Sequence, residues 1–356
     1  MAKLGTAVIG AGTFGSIHAQ AYAESDACDL LYVCDVHEAA AHKVAEQLGA
    51  IATTSVEEVA ADNKVQAVSI ATPDFAHLQP ALLLIAAGKH ILCEKPLATR
   101  LEDARRIFLD AEKAGVTLMV DFHNRFNPAC LEVKRRIGQL GPPVYGSICL
   151  SNPSIVPASL LSWASKSGPE WFLLPHVVDL ARWYAGGEPV AVSAVRHDGI
   201  LKAKGIDAAD SIQALLDFDG CSIEVESSWI LPESWPSLIE FECKIVCERG
   251  RASFSLHNQG VTINTDDECK YPFIGGSYDA NGQETGFFRL PIRHFIECVS
   301  QGRPPVVNGR DGLMGTMIIE AILMSAAERR RVPLAELMQP SEIEMEKIEE
   351  DQGMIE

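Results

Sequence analysis

The stretch Gly10-Ala11-Gly12-Thr13-Phe14-Gly15 follows a short apolar run, Lys3–Ile9, and opens an amphipathic segment, Phe14–Ala23. A glycine-rich turn between a strand and a helix is typical of dinucleotide binding. Its glycines permit a tight turn, close approach of a pyrophosphate and close packing of the helix on the strand, while the helix N-terminus offers N–H donors to the anion. The predicted cofactor contacts here are Gly10, Gly12, Thr13, Phe14 and Gly15.

A carboxylate ends the next predicted strand. Asp35 follows the apolar run Cys28–Cys34 and lies twenty residues after Gly15. A carboxylate at this position accepts hydrogen bonds from both ribose hydroxyls and repels a 2′-phosphate. The segment Asp35-Val36-His37-Glu38 carries no lysine or arginine that would attract such a phosphate. The sequence therefore predicts NAD as the cofactor in preference to NADP.

The first third of the chain alternates predicted strands and helices. After the glycine-rich turn, the strand candidates are Cys28–Cys34, Val65–Ala71, His90–Cys93 and Thr117–Val120, and the helix candidates are Val36–Leu48, Ala76–Ala87 and Leu101–Ala114. A glycine directly follows each of these three helices, as is common at helix ends. Continuous apolar strands that alternate with helices predict a parallel sheet covered on both faces.

The pattern changes after about Asn127. Strand candidates then follow one another through turns such as Asp219-Gly220, which predicts a large, open, mainly antiparallel sheet. One face of this sheet must be covered, by helices or by a second subunit. The strand candidates are Val144–Leu150, Val190–His197, Ser211–Phe218, Ser222–Ile230, Ile239–Cys247, Ala252–Leu256 and Val261–Thr265, and the helix candidates are Pro128–Gly138, Leu174–Ala185, Gly286–Ser300 and Asp311–Arg330.

The length and composition agree with a two-domain α/β protein. The chain has 356 residues, of which 47% are hydrophobic and 22% charged. This composition is ordinary for a globular protein and excludes intrinsic disorder, and the length exceeds what one core usually serves. We predict a dinucleotide-binding domain over residues 1–124, a substrate-binding and oligomerisation α+β domain over residues 125–340, and an acidic tail over residues 341–356.

The net charge and the lengths of the apolar stretches limit which partners and which cellular location the protein can have. The formal net charge is −18, of which the segment 341–356 contributes −6 from seven acidic residues and one lysine. The acidic balance argues against nucleic acid or anionic lipid as the main partner, because both need clustered positive charge. The longest strongly apolar stretch, around 81–87, is too short to span a membrane, and the N-terminal segment lacks signal-peptide features. We expect no nucleic-acid or membrane partner and a cytoplasmic location.

The ten cysteines indicate reduced thiols. None forms a Cys-x-x-Cys pair, and several, such as Cys34 and Cys93, lie inside apolar runs, where a free cysteine behaves as a small hydrophobic residue. Cys243 and Cys247 have no second pair at zinc-site spacing. We therefore predict no bound metal.

A second group of motifs lies where parallel strands are predicted to end, which is where open α/β sheets bind ligands. The motifs are Ala71-Thr72-Pro73 with His77, Cys93-Glu94-Lys95-Pro96, Asn124-Arg125-Phe126-Asn127-Pro128 and His176-Val177-Val178-Asp179. With them the chain, from Lys3 to about Pro333, resembles the glucose–fructose oxidoreductase / inositol dehydrogenase / MocA family. The resemblance implies a Rossmann domain, a second domain with a large open sheet, NAD(P)-dependent oxidation or reduction of sugars, cyclitols and related polyols, and a homodimer or homotetramer formed through the C-terminal sheet.

The resemblance also implies roles for single residues. Lys95 resembles the family lysine that holds the reacting oxygen, and His176 the family histidine that acts as general base. The bond between Lys95 and Pro96 is often cis in this family. Arg125 matches a segment near the substrate, with a structural ion pair as the alternative. The other expected cofactor contacts are Thr72, Pro73, His77, Glu94, Lys95 and Asn124.

The chain departs from the family pattern one helical turn before His176. Many members carry an aspartate there, and this chain has Phe172. Trp171 and Phe172 are expected to offer a flat apolar surface to a sugar, and Trp163 lies in the polar loop before them. The expected substrate contacts are Lys95, Arg125, Trp163, Trp171, Phe172 and His176.

Three functions fit these observations. The first is a dehydrogenase acting on a secondary alcohol of a sugar or polyol. The second is a lyase, hydrolase or epimerase that oxidises its sugar only transiently, and the third is a non-catalytic dinucleotide-binding regulator. The retained pair Lys95 and His176 argues against the regulator, because a sensor needs no proton-transfer groups.

Overall fold

The computed structural model describes residues 3–265, 267–281 and 284–339. The predicted acidic tail, 341–356, and residue 340 lie outside the described residues. The first domain contains strands β1 (Leu4–Ile9), β2 (Cys28–Cys34), β3 (Ile51–Thr53), β4 (Ala67–Ile70), β5 (His90–Glu94) and β6 (Leu118–Asp121), and helices α1 (Thr13–Ala23), α2 (Glu38–Leu48), α3 (Val56–Ala61), α4 (Leu78–Ala86) and α5 (Leu101–Ala114).

The six strands form one parallel sheet in the order β3-β2-β1-β4-β5-β6. Every residue of β1 and of β4 is buried, because helices cover both faces of the sheet. The strand order reverses between β1 and β4, and this is the position where doubly wound sheets bind ligands beyond the carboxyl ends of the strands. The predicted parallel sheet is confirmed.

The rest of the chain, which includes the second domain, contains α6 (Pro128–Leu140), α7 (Pro169–Phe172), α8 (Leu174–Ala185), α9 (Ile200–Ala203), α10 (Leu290–Gln301) and α11 (Gly309–Glu328), together with β7 (Pro143–Pro153), β8 (Ala191–His197), β9 (Ser211–Phe218), β10 (Cys221–Leu231), β11 (Glu240–Cys247), β12 (Gly250–Ser255), β13 (Ile263–Asn264), β14 (Cys269–Lys270), β15 (Tyr278–Asp279), β16 (Glu284–Thr285) and β17 (Val332–Pro333). Of these helices, α10 packs on the first sheet. Seven of these strands form one sheet in the order β12-β11-β7-β10-β9-β8-β17. Only β7 and β10 pair in parallel in this sheet of the described chain, so the mainly antiparallel sheet is confirmed.

Helices α8 and α11 cover the inner face of the second sheet, and α11 also packs on the first domain. The close approach of α11 to β6 requires a glycine: a Cβ at Gly312 would lie 2.6 Å from Cγ2 of Val120. A capping box of Asn308 and Asp311 begins α11. Across the part of the chain described, none of the helices has the length and apolarity needed to cross a bilayer.

Two of the predicted elements differ from the structure. The predicted strand Val261–Thr265 is reduced to β13, which pairs with β14 in a separate ribbon instead of joining the large sheet. Val261 and Ile263 are exposed, so the segment has no buried face to dock, and Thr265 turns the chain back by bonding to Glu268. The helix predicted from Gly286 begins at Leu290, because Gly286 has a φ of 123° that no helix contains.

Candidate active site

The glycine-rich turn has the geometry that its sequence predicts. Gly10 has a φ of 98°, and a Cβ there would lie 2.5 Å from the carbonyl oxygen of Ala71. A Cβ at Gly15 would lie 1.8 Å from the carbonyl oxygen of Gly10, so only glycine allows the helix to pack here. At Gly12, by contrast, no described atom lies within 4 Å of the Cβ position. The turn therefore leaves open space in front of the N-terminus of α1, where a pyrophosphate can approach.

Asp35 ties the end of β2 to this turn. Its Oδ2 accepts a hydrogen bond from the backbone N–H of Ala11 at 2.7 Å, and its Oδ1 accepts one from His37 at 2.8 Å. Each carboxylate oxygen can accept a further hydrogen bond. The carboxylate is thus held in place beside the open turn with acceptor capacity for ribose hydroxyls.

Lys95 follows β5 and reaches into the second domain. Its side chain is buried, and Nζ donates a hydrogen bond to the backbone carbonyl of Phe172 at 3.0 Å. The same ammonium lies 4.5 Å from the centre of the Phe172 ring, in cation–π contact. Burial lowers the pKa of Lys95, and the charges of Glu94, Asp74 and Asp121 partly offset that effect. The bond between Lys95 and Pro96 is cis, as the resemblance implies.

His176 lies in the first turn of α8, with its ring centre 4.7 Å from that of His123. Burial, with smaller effects from His123 and Lys95, holds the pKa of His176 well below 6.5. Within the described chain its Nδ1 has no hydrogen-bond partner. Burial also lowers the pKa of His123 to about 4, and Phe14 stacks on its ring at 5.9 Å. Both imidazoles are therefore neutral at neutral pH.

His18, Glu94 and Asp121 form a buried ion cluster behind Lys95. The Nε2 of His18 lies 3.3 Å from a carboxylate oxygen of each acid, and its Nδ1 lies 2.9 Å from the hydroxyl of Ser69. Burial alone would lower the pKa of His18, but the two carboxylates raise it to about 9. Burial and the neighbouring Glu94 raise the pKa of Asp121 to about 6.

The three ligand-type atoms of the buried ion cluster lie within 4.8 Å of one another, a spacing that a metal ion would also accept. A protonated His18 places one positive charge beside both carboxylates without a metal, and Oδ1 of Asp121 has no hydrogen-bond partner among the described residues. The absence of a bound metal stays a prediction. This cluster was not predicted from the sequence, although Glu94 and Asp121 each end a parallel strand, the position that also identifies Lys95.

An aromatic wall, made of Phe75, Trp163, Phe172 and Trp229, stands beside Lys95. Phe172 contacts Trp163 and Trp229, with ring centres 5.8 and 5.7 Å apart, and Phe75 contacts Trp163 at 6.2 Å. Trp171 and Phe172 are both half-buried and pack against the main hydrophobic core. The structure therefore places Phe172 against Lys95 and Trp163 against Phe172. Substrate contact by Trp163, Trp171 and Phe172 stays a prediction.

The loop after β4 is fastened to the loop after β5. His77 approaches the carbonyl oxygens of Pro96 and Thr72 at 2.8 and 3.0 Å. Because carbonyl oxygens only accept, a neutral His77 donates to one of them at a time. The hydroxyl of Thr72 is buried without a partner among the described residues. Pro73 lies in the same loop, and Asn124 is buried in the short turn His123–Phe126 after β6.

Arg125 is held in an ion-pair network. Its guanidinium donates to both carboxylate oxygens of Asp179, at 2.9 and 2.6 Å, and to Asp311 at 2.8 Å. Arg182 adds a second cation beside Asp311 at 3.3 Å. This arrangement favours the structural alternative for Arg125, and its contact with substrate stays a prediction.

Comparison with known families settles the relationship. Residues 4–122 match the sequence model of an oxidoreductase family with an NAD-binding Rossmann fold, and residues 132–253 match the GFO/IDH/MocA C-terminal domain. The chain belongs to the GFO/IDH/MocA family. Its oxidoreductase relatives include inositol 2-dehydrogenase from Rhizobium meliloti (strain 1021), 28% identical over 339 residues, 92% of this chain and 98% of the relative.

Two further comparisons extend over most of this GFO/IDH/MocA chain. The scyllo-inositol 2-dehydrogenase (NAD(+)) of Bacillus subtilis (strain 168) is 30% identical over 315 residues, 86% of this chain and 89% of the relative. The crystal structure of myo-inositol 2-dehydrogenase from Lactobacillus plantarum superposes with a TM-score of 0.80, covering 93% of this chain and 99% of that one. At 20% identity this superposition shows the shared fold.

The residues at the carboxyl edge of the parallel sheet fit the NAD that the family description names. Gly12 leaves an open cradle, Asp35 offers acceptors for a ribose, and the described residues leave the buried Thr72 hydroxyl without a partner. All three features lie at the carboxyl edge of the parallel sheet, beside Lys95. This geometry agrees with the NAD-binding description of the family.

Proposed function

We propose that the protein is an NAD-dependent dehydrogenase acting on a secondary alcohol of a sugar, cyclitol or related polyol. The observation that carries the proposal is the buried Lys95 ammonium near neutral His176, at the same sheet edge as the open glycine turn. The names of the inositol dehydrogenase relatives support the same chemistry.

The glycine turn and Asp35 would hold the cofactor. The N–H groups at the start of α1 bind the pyrophosphate, and the Asp35 carboxylate accepts from the ribose hydroxyls. NAD, when bound, accepts the hydride or returns it. Thr72, Pro73, Glu94 and Asn124 are proposed contacts around it, since they follow or end neighbouring strands at this edge.

Lys95 and His176 bind the substrate oxygen and take part in the transfer of its proton. The lowered pKa of Lys95 lets its amine hold the reacting oxygen and exchange a proton nearer neutral pH than an exposed lysine does. His176 is neutral, with a free Nδ1 within the described residues. Because an imidazole with so low a pKa is a weak base, Lys95 carries the larger part of the proton transfer and His176 mainly orients the hydroxyl.

The aromatic wall favours a substrate with an apolar face. Phe172 stands where many family members carry a carboxylate, so this side of the site offers a flat ring and not a hydrogen-bond acceptor. A pyranose or cyclitol ring that presents axial C–H groups to Trp163 and Phe172 would bury apolar area there. A hydroxyl pointing at Phe172 would lose its hydrogen bonds to water.

A substrate screen tests this function. Purified protein is mixed with NAD or NADP and with myo-inositol, scyllo-inositol and a panel of pyranoses, and NADH formation is followed by its near-ultraviolet absorbance. Net NADH with at least one polyol, and a preference for NAD, is the expected result. Product without net NADH would point to transient oxidation, and NAD binding without turnover to a regulator. The dehydrogenase names of the relatives favour neither alternative.

We also propose a cytoplasmic homo-oligomer. All ten cysteines fall within the described residues and carry free thiols, which fits a reducing compartment. The outer face of the second sheet carries Tyr145, Val195 and Leu215, all exposed, which a second copy would cover. Light scattering coupled to size-exclusion chromatography measures the mass: a dimer or tetramer is expected, and a monomer at micromolar concentration would contradict the proposal.

A further inference from the structure

Asp74 and Lys95 follow neighbouring strands at the same edge of the parallel sheet. Asp74 begins the short turn Asp74–Ala76 after β4. Strands β4 and β5 are adjacent and parallel, with Ile70 beside Cys93. The segments that follow them, which end in Asp74 and Lys95, therefore leave the sheet side by side. His77 fixes the first segment to the second through its 2.8 Å contact with Pro96.

Asp74 and Lys95 reach the same part of the second domain. The hydroxyl of Ser167, in the loop before α7, donates a hydrogen bond to Oδ2 of Asp74, and Lys95 donates to the carbonyl of Phe172 at the end of α7. The charges of the two side chains act on each other: Lys95 lowers the pKa of Asp74 and Asp74 raises that of Lys95, each against a larger opposing effect of burial.

Both groups have unused bonding capacity. Asp74 is 5% exposed, and among the described residues its Oδ1 has no hydrogen-bond partner. The Lys95 ammonium has three N–H donors, and in the described chain the carbonyl of Phe172 is its only hydrogen-bond acceptor. A buried carboxylate and a buried ammonium are each costly alone and compensate each other when they are close.

We propose that Asp74 is a positioning residue that adds to the counter-charge of Lys95, since the neighbouring Glu94 and Asp121 both face His18. The catalytic meaning of this role rests on the proposed dehydrogenase function. The Asp74 carboxylate stabilises the charged form of the amine, which donates a hydrogen bond or a proton to the substrate oxygen.

Titration of Lys95 tests the proposal. Protein labelled with carbon-13 at lysine Cε is titrated by NMR, and the Lys95 signal is assigned by its loss in Lys95→Met. The charged or titratable groups that act on Lys95 are Glu94, Asp121, Asp74, His123 and His176. The side chains that face Asp74 are His77 and Ser167. Replacing Asp74 with Asn removes one of these charges and keeps the shape, so the Lys95 pKa should fall by about 1.

Glu170→Gln is the matched control. Glu170 is also 5% exposed and, in the described residues, has one buried oxygen without a partner, but its ion pair is with Arg196 at 2.8 Å. The Lys95 pKa should stay unchanged in this variant.

Asp74→Ser replaces Asp74→Asn in the comparison if Asp74→Asn does not fold. An unchanged Lys95 pKa without the Asp74 carboxylate, or an equal fall in Glu170→Gln, would overturn the proposal. Because the titration needs no turnover, a failed substrate screen would refute the proposed function separately.

Discussion

The buried ion cluster should make the stability of the protein fall as the pH rises above neutrality. The pKa of His18 is about 9 in the folded chain and 6.5 without its surroundings, a difference of about 2.5. At about 1.4 kcal/mol for each pKa unit, the protonated imidazole contributes roughly 3 kcal/mol to folding. A raised histidine pKa stabilises fully below pH 6.5, and this stability is lost as the pH rises through 9.

Urea unfolding at several pH values, followed by circular dichroism, measures this loss. Between pH 6.5 and 9 the wild type should lose roughly 3 kcal/mol more unfolding free energy than His18→Gln, which carries no titrating ring. His42→Gln is the control, because His42 lies on the surface of α2 with only a weak pair to Glu38. With rising pH, the His42→Gln variant should lose as much unfolding free energy as the wild type. Equal pH dependence in the wild type and His18→Gln would refute this account of the cluster.

The other predictions concern the cofactor side of the site. Gly12→Ala should fold with wild-type stability, since its Cβ meets no described atom within 4 Å, but should weaken NAD binding about tenfold by calorimetry. Gly15→Ala should instead lower the unfolding free energy by about 1–3 kcal/mol in urea, because its Cβ would lie 1.8 Å from a carbonyl oxygen. Reversal of these two results would contradict the roles given to the glycines. Asp35→Asn should raise the affinity for NADP relative to NAD about tenfold, and an unchanged ratio would contradict the role of Asp35.

The sequence predicts the parts of the fold that short-range patterns determine. The glycine-rich turn and helices such as Leu101–Ala114 and Leu174–Ala185 have the expected bounds, because hydrophobic periodicity and a terminal glycine are local signals. The strand predicted at Val261–Thr265 was wrong as part of the large sheet, since an apolar alternation does not show whether a buried face exists to receive it. The short β3 and β17 were missed because two or three residues carry too little pattern.

The candidate active site likewise combines features that the sequence predicts with features that only the folded structure shows. The strand-end rule and the family motifs identify Lys95, and the structure adds that Phe172 meets it with a carbonyl and a ring. The partners of His18 and Arg125 could not be predicted from the sequence, because they lie far along the chain. His18 is 76 residues from Glu94, and Arg125 is 186 residues from Asp311. Only the folded sheet brings such charges together.

Steady-state NADH formation by Lys95→Met shows whether Lys95 transfers the proton in an NAD-dependent oxidation. The methionine keeps the length of the side chain and removes its amine. With the polyol that gives the highest rate in the screen, kcat should fall by about 100-fold or more, while the Kd for NAD from calorimetry, to which Lys95 adds one expected contact, should change by a far smaller factor. Lys113→Met, at the exposed end of α5, should keep wild-type kcat. A Lys95→Met protein that forms NADH at the wild-type rate would contradict the account.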